Sequence, residues 1–157
     1  MATLRQSKQV AAFKYATAPT DGDDLTPIIG DFVVPSTLAL NDVIEMGILP
    51  AECVPVDLIL TAEDIDTGAT LTLNAGLISG TAGLVDNTRT CGADFLSAST
   101  VGQTGGVARM DQKAGGLITA TTADRGWGLK VAAAAAGVTA GAKIRAVLYV
   151  APKTVTM

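Results

Sequence analysis

Short runs in which apolar and polar residues alternate recur along most of this chain, and each run is closed by Pro, Gly or Asp. In the run at residues 143–150, Ile144, Ala146, Leu148 and Val150 alternate with more polar neighbours. A period of two is typical of a half-buried strand. Strands at short spacing joined by polar turns are typical of a sandwich or jelly roll. The sequence therefore predicts an all-β, jelly-roll-like β-sandwich.

The runs predict strands at residues 28–34, 42–49, 53–61, 69–75, 116–121, 127–133 and 143–150. The strand at 42–49 alternates and is predicted to be half-buried. Residues 76–116 are rich in Gly, Thr, Ser and Asp. We expect a short strand or helical turn there, at residues 93–100, within an exposed loop.

The first 18 residues differ from the rest, because Arg5, Lys8 and Lys14 are basic and no acidic residue accompanies them. We predict an extended N-terminal arm at residues 1–18, with a strand at residues 10–15 and a beginning that orders on meeting a partner. A frayed terminus is the alternative. Residues 19–157 form the sandwich domain, since a chain of 157 residues is close to the usual size of one domain.

Composition bears on the partners of the protein. The net charge is −4 and only 4% of the residues are aromatic, which disfavours nucleic acid. No stretch is apolar and long enough to predict a membrane span, and the first residues lack the apolar core of a signal peptide. Charged residues make up only 17%, as expected where part of a surface is covered by neighbours. An ordinary hydrophobic monomer is the alternative.

The chemistry-bearing residues do not form a recognisable catalytic pattern. The chain contains no His, so a Ser or Cys nucleophile lacks its usual base. The acids considered are predicted to lie in turns or on solvent faces: Glu45, Glu52, Glu63, Asp64 and Asp66. Residues 63–68 lack the full spacing of a calcium loop and predict a polar hairpin turn. The sequence predicts no enzyme activity, no catalytic residues, no cofactor and no metal.

Two cysteines and one tryptophan leave alternatives open. Cys53 and Cys91 lack the further ligands that zinc needs, and they are either buried free thiols or a disulfide formed in an oxidising medium. Trp127 is either an anchor in an interface or a core residue that begins a strand.

One segment carries a resemblance to a known family. Residues 41–76 contain a short strand and turn with Asp42, Ile44, Gly47, Leu49 and Pro50, then an acidic turn ending in Asp-Thr-Gly and a Thr-Leu-Thr-Leu strand. With residues 94–96 and the closing strand at 146–150, this pattern resembles the head decoration, or cement, proteins of tailed bacteriophages.

The resemblance implies a non-enzymatic, β-rich, oligomeric virion protein on the outside of the capsid, assembled in the host cytoplasm. Its partners would be the major capsid protein and further copies of itself, as a dimer or trimer. Arg5, Lys8 and Lys14 would be the capsid-binding residues of the arm. A neck, tail or head-fibre-base protein is the alternative. A carbohydrate-binding sandwich is a further one and would need an exposed aromatic patch.

Overall fold

The computed structural model describes residues 2–12 and 25–153 of the chain. These residues contain nine strands and two four-residue helices. The elements are β1 (Leu4–Gln6), α1 (Lys8–Ala11), β2 (Thr26–Val33), β3 (Val43–Leu49), β4 (Cys53–Ala62), β5 (Thr72–Ile78), β6 (Leu96–Ser99), β7 (Gly106–Arg109), α2 (Lys113–Gly116), β8 (Arg125–Ala133) and β9 (Lys143–Pro152).

The strands form two sheets that pack face to face. Sheet A has the order β1-β3-β8-β5-β6, and sheet B has the order β2-β9-β4-β7. All pairs are antiparallel except β1 with β3, which are parallel. The predicted all-β, jelly-roll-like sandwich is confirmed.

The core lies between the two sheets and is built by the predicted alternation. In β9, Ile144, Ala146, Leu148 and Val150 are buried, and the residues between them point away from the core. Trp127 in β8 is fully buried, so it is a core residue rather than an interface anchor. Each such large apolar side chain contributes about 1.5–3 kcal/mol by burial.

Within the sandwich, three strand predictions differ from the structure. All seven residues of β3 are buried, because residues 79–91 cover the outer face of sheet A. Residues 116–121 do not form a strand. The backbone N–H groups of Leu117 and Ile118 donate to Ala114 and Gly115 at the end of α2, and the Leu117 side chain is exposed. The strand predicted at residues 69–75 begins later, at Thr72, because the Asp66 carboxylate binds the backbone N–H groups of Thr70 and Leu71.

The N-terminal segment is folded where the structure describes it. β1 pairs with β3 at the edge of sheet A, and α1 follows, with Ser7 Oγ accepting from the backbone N–H of Val10. The strand predicted at residues 10–15 is wrong for residues 10–12, because Val10 and Ala11 belong to α1 and Ala12 caps its end, and residues 13–15 lie outside the described ones. Whether residues 1–18 also reach a partner stays a prediction.

Candidate interaction surface

Arg5, the first residue predicted to bind the capsid, is engaged within its own chain. Its guanidinium lies 3.3 Å from the Asp42 carboxylate and donates to the carbonyl of Thr37. Asp42 is buried, and its carboxylate also accepts from the backbone N–H groups of Thr3 and Ala39. Arg5 therefore holds the N-terminal segment on the sandwich.

Lys8 lies on the surface, at a groove beside sheet B. We call this the basic groove. It has a volume of about 580 Å³ and is lined by Lys8, Asp31, Phe32, Val33, Thr61, Ala62, Glu63, Lys143, Ile144 and Arg145. Lys14 lies outside the described residues.

The basic groove has an excess of positive charge in an acidic chain. Asp31 is bound by Arg145 at 2.6 Å and by Gln9 at 3.1 Å. The hydrogen bond from Arg145 lowers the pKa of the Asp31 carboxyl, and burial opposes this shift. Within residues 2–12 and 25–153, the Lys8 and Lys143 side chains form no ion pair. Two exposed ammonium groups are therefore available to an acidic partner.

The outer face of sheet B is largely apolar. In register, Ile29 of β2 pairs with Val147 of β9, and Val147 pairs with Ile59 of β4. Pro27 and Tyr149 form the next pair. We call this surface the apolar face, and its residues are Pro27, Ile29, Val54, Val56, Ile59, Val147, Tyr149 and Ala151. Two ion pairs lie on the same side of the sheet: Asp31 with Arg145 at one end, and Asp57 with Arg109, which are in register with Tyr149 and Ile59.

The outer face of sheet A is instead covered by residues 79–91, which a buried ion pair fixes in place. Arg89 Nη2 donates to Glu45 Oε1 at 2.8 Å, and Nη1 donates to Oε2 at 3.0 Å. The Arg89 and Glu45 side chains are only 2% and 0% exposed. Arg89 also donates to the carbonyls of Ser79 and Leu84.

The sequence pattern does not predict this pair, because Glu45 alternates with apolar residues as a solvent-facing side chain does. Gly126 in β8 makes room for the pair, and Gly128 makes room for the backbone of β3. A Cβ on Gly126 would collide with Glu45 Oε1, and one on Gly128 would collide with the Ile44 carbonyl. Glycines at two alternate positions of one strand were the available signal that something lies close against that face.

Cys53 and Cys91 are free, buried thiols, which is the first of the two alternatives. Cys53 begins β4 in sheet B, whereas Cys91 bridges to Ile78 of sheet A and packs with a separate apolar cluster. Burial raises the pKa of both thiols, that of Cys91 to about 12.

Asp66, one of the acids at the predicted polar turn, is buried and binds backbone. Its carboxylate accepts from the N–H groups of Gly68, Thr70, Leu71 and Ala136. Burial raises its pKa, but these donors outweigh burial and leave the pKa below its usual value. Across the described ranges, His, Cys, Asp and Glu form no group of three or more able to hold a metal ion. Neither described helix has the length and apolarity of a membrane span.

Solved structures similar to this chain come from bacteriophage capsids. A chain in the capsid of Ralstonia phage GP4 is 38% identical, with a TM-score of 0.91, over 97% of this chain and 99% of that chain. The chain belongs to a family of bacteriophage capsid proteins. A chain of the capsid asymmetric unit of cyanophage Pam1 is 28% identical, with a TM-score of 0.63, over 90% of this capsid protein and 96% of that chain.

A chain in the acid-stable capsid of Helicobacter pylori bacteriophage KHP30 shares the fold at 14% identity, with a TM-score of 0.50 over 84% of this capsid protein and 91% of that chain. No protein-family model and no curated protein matches the sequence. The predicted structural role in a phage virion is confirmed at the level of a capsid protein.

Proposed function

We propose that this capsid protein is a decoration, or cement, protein that binds the outside of a phage capsid and reinforces contacts between capsomers. The observation that carries the proposal is the extent of the match to the Ralstonia phage GP4 chain, which covers 99% of that chain. The match therefore extends over nearly all of that capsid chain. Because the sandwich completes its own core, it can fold separately and then add to a shell.

Reinforcement follows from binding equilibria. A protein that binds the assembled shell but not its dissociated subunits stabilises the shell at every occupied site. At a free concentration 100 times the dissociation constant, each site contributes about 2.7 kcal/mol. Contributions summed over many sites oppose the pressure of packaged DNA.

The basic groove supplies the contacts that we propose for the capsid. Lys8 and Lys143 are exposed, and both line the groove. They would bind carboxylates on the capsid protein, and Lys14 of the arm would add a third cation. Arg5 has a different role in this proposal, since its guanidinium already binds Asp42.

A binding count on phage heads tests the proposal. Heads lacking the protein are mixed with purified wild type, with the Lys8→Glu/Lys143→Glu double variant, or with Lys113→Glu. Lys113 is an exposed lysine of α2 outside the groove and serves as the matched control. Bound copies per head are measured by quantitative gel.

We expect the wild type and the control to saturate at a fixed multiple of the symmetry sites of the shell. The double variant should need at least about tenfold more protein, because like charges now meet across the contact. Heads carrying the wild type should also break at higher temperature. Binding of only a handful of copies would contradict the proposal and indicate a neck, tail or head-fibre-base protein.

A further inference from the structure

We infer that an extended segment of the capsid protein joins sheet B as a fifth strand, at the open edge of β7. This inference deepens the proposed function and rests on it. The backbone N–H of Met110 donates to the Leu58 carbonyl at 2.9 Å and continues the ladder between β7 and β4. Because the hydrogen bonds of a strand alternate sides, the N–H and C=O groups of Val107 and Arg109 point away from β4. Within the described residues, none of these groups has a hydrogen-bond partner.

The other three sheet edges are obstructed, each by a different feature. At β1, the outward N–H of Leu4 donates to Asn87 Oδ1 at 3.1 Å. At β2, the N–H of Asp31 donates to Gln9 Oε1 at 2.9 Å, and the strand also contains a proline. A bulge at Ala98, whose φ is 50°, distorts β6. Proteins block strand edges in these ways against unwanted pairing, and β7 has none of these features.

The inner side of β7 leaves part of the core uncovered. Ala108 packs against the core together with Val101 and Met110, and all three residues are only half-buried. A Cβ on Gly106 would meet only the Val101 side chain, at 3.9 Å. A large apolar side chain from an added strand therefore has room beside β7, and it would bury these residues further.

The side chains of β7 define the segment that fits. Opposite residues of neighbouring strands have Cβ atoms about 4.5–5.5 Å apart, so they form pairs. A large apolar residue opposite Ala108 would cover the core. On one side of it, a β-branched residue would pack on Val107, which is 65% exposed. On the other side, an acidic residue would bind Arg109, whose side chain pairs with Asp57 and is still 69% exposed.

The position of this edge favours the capsid protein as the source of the segment. Gly106 and Val107 pair with Ala62 and Thr61 of β4, and both of those residues line the basic groove. A capsid segment with carboxylates in the basic groove can therefore continue along β7. A second copy fits less well, because each copy has a net charge of −4 and its β7 brings only Gly106 and Ala108 to the inner side.

Hydrogen exchange of the wild type, free and bound to phage heads that lack it, tests the inference. In the free protein, the Val107 and Arg109 amides should exchange rapidly, because they have no hydrogen-bond partner. On the heads, both should exchange at least about tenfold more slowly, since the added strand accepts from them. Mass spectrometry of a peptide covering residues 104–110 measures the change. Residues 79–91 lie on the other sheet and should exchange equally in both states.

A proline variant tests the same contact by binding. Val107→Pro removes an outward N–H and no hydrogen bond to β4, and Val107→Thr is the matched control that keeps the N–H and the β-branched shape. Val107→Pro should need about tenfold more protein to saturate the heads, whereas Val107→Thr should bind as the wild type does. Urea unfolding followed by Trp127 fluorescence shows whether both variants are folded.

Each outcome decides between the inference and its alternatives. If the wild type saturates the heads but the exchange of Val107 and Arg109 does not slow, the inference is overturned and the proposed function stands. Equal binding by a folded Val107→Pro variant has the same meaning. A wild type that does not saturate the heads would overturn both. Slow exchange of these amides in the isolated protein at high concentration would assign the edge to a second copy and overturn the inference.

Discussion

Replacing Arg89 by methionine should destabilise the whole protein, although the residue lies in a segment without regular structure. The Arg89 guanidinium donates twice to Glu45 and once each to the carbonyls of Ser79 and Leu84. The variant leaves the Glu45 carboxylate buried, with the backbone N–H of Gly83 and the more distant Gln6 amide as donors. Removing one partner of a buried pair costs about 3–5 kcal/mol.

That loss is large compared with the free energy of unfolding of an ordinary domain, which is about 5–15 kcal/mol. For a chain of this length, it corresponds to a fall in Tm of about 6–20 °C. Urea unfolding followed by the fluorescence of Trp127, the single tryptophan, measures the free energy of unfolding. Arg109→Met is the control, because the Arg109 side chain is 69% exposed beside Asp57 and should contribute little.

A double-mutant cycle tests the cause. Glu45→Met/Arg89→Met removes both charges, so it should be more stable than Arg89→Met alone. Limited proteolysis should cut residues 79–91 faster in Arg89→Met than in the wild type. A loss of less than about 1 kcal/mol in Arg89→Met would contradict this role of the ion pair, and so would losses of the two single variants that add in the double variant.

Three further predictions use the same unfolding assay or simple chemistry. Gly126→Ala should lower the free energy of unfolding by about 1–3 kcal/mol, because the new Cβ would meet the Glu45 and Arg89 side chains. Gly116→Ala is the control, because a Cβ there would meet open space. Equal losses in the two variants would contradict this explanation. The pKa of Asp66 is lowered in the folded state, so its stabilising effect is complete above the unfolded pKa of about 3.9 and is lost as the pH falls below it. Wild type and Asp66→Asn should therefore differ less in urea midpoint at pH 2.5 than at pH 7, and a constant difference would refute this. Cys53 and Cys91 should resist iodoacetamide at pH 8 in the folded protein and react in urea, because both thiols are buried; modification of the folded protein would show that they are accessible.

Strands with one solvent-exposed face were predictable from the sequence. The alternation in β9 identified Ile144 and Leu148 as core residues, and both are buried. β3 was mispredicted because its cover comes from far along the chain. Glu45 and Arg89 are 44 positions apart, and nothing in the local pattern around Glu45 indicates that an arginine will neutralise it.

The interaction surface was only partly predictable for the same reason. The period of β9 placed Val147 and Tyr149 on the face opposite the core, but the register that brings Ile29 and Ile59 beside Val147 depends on long-range pairing. Basic residues at the start of the chain suggested capsid contacts. For Arg5, the sequence alone could not reveal that Asp42 binds it.

The strand order also determines when the protein can fold during its synthesis. β8 lies between β3 and β5 in sheet A, and β9 lies between β2 and β4 in sheet B. In each sheet, therefore, an inner strand is one of the two described strands that are translated last. Until residues 125–152 have left the ribosome, β2 and β3 lack their antiparallel partners, and the core residues Ile44 and Leu58 lack Leu129 and Leu148, which lie beside them in the sheets. Folding of such long-range pairings is slow. The nascent chain therefore spends its synthesis with apolar strands uncovered, when aggregation competes with folding.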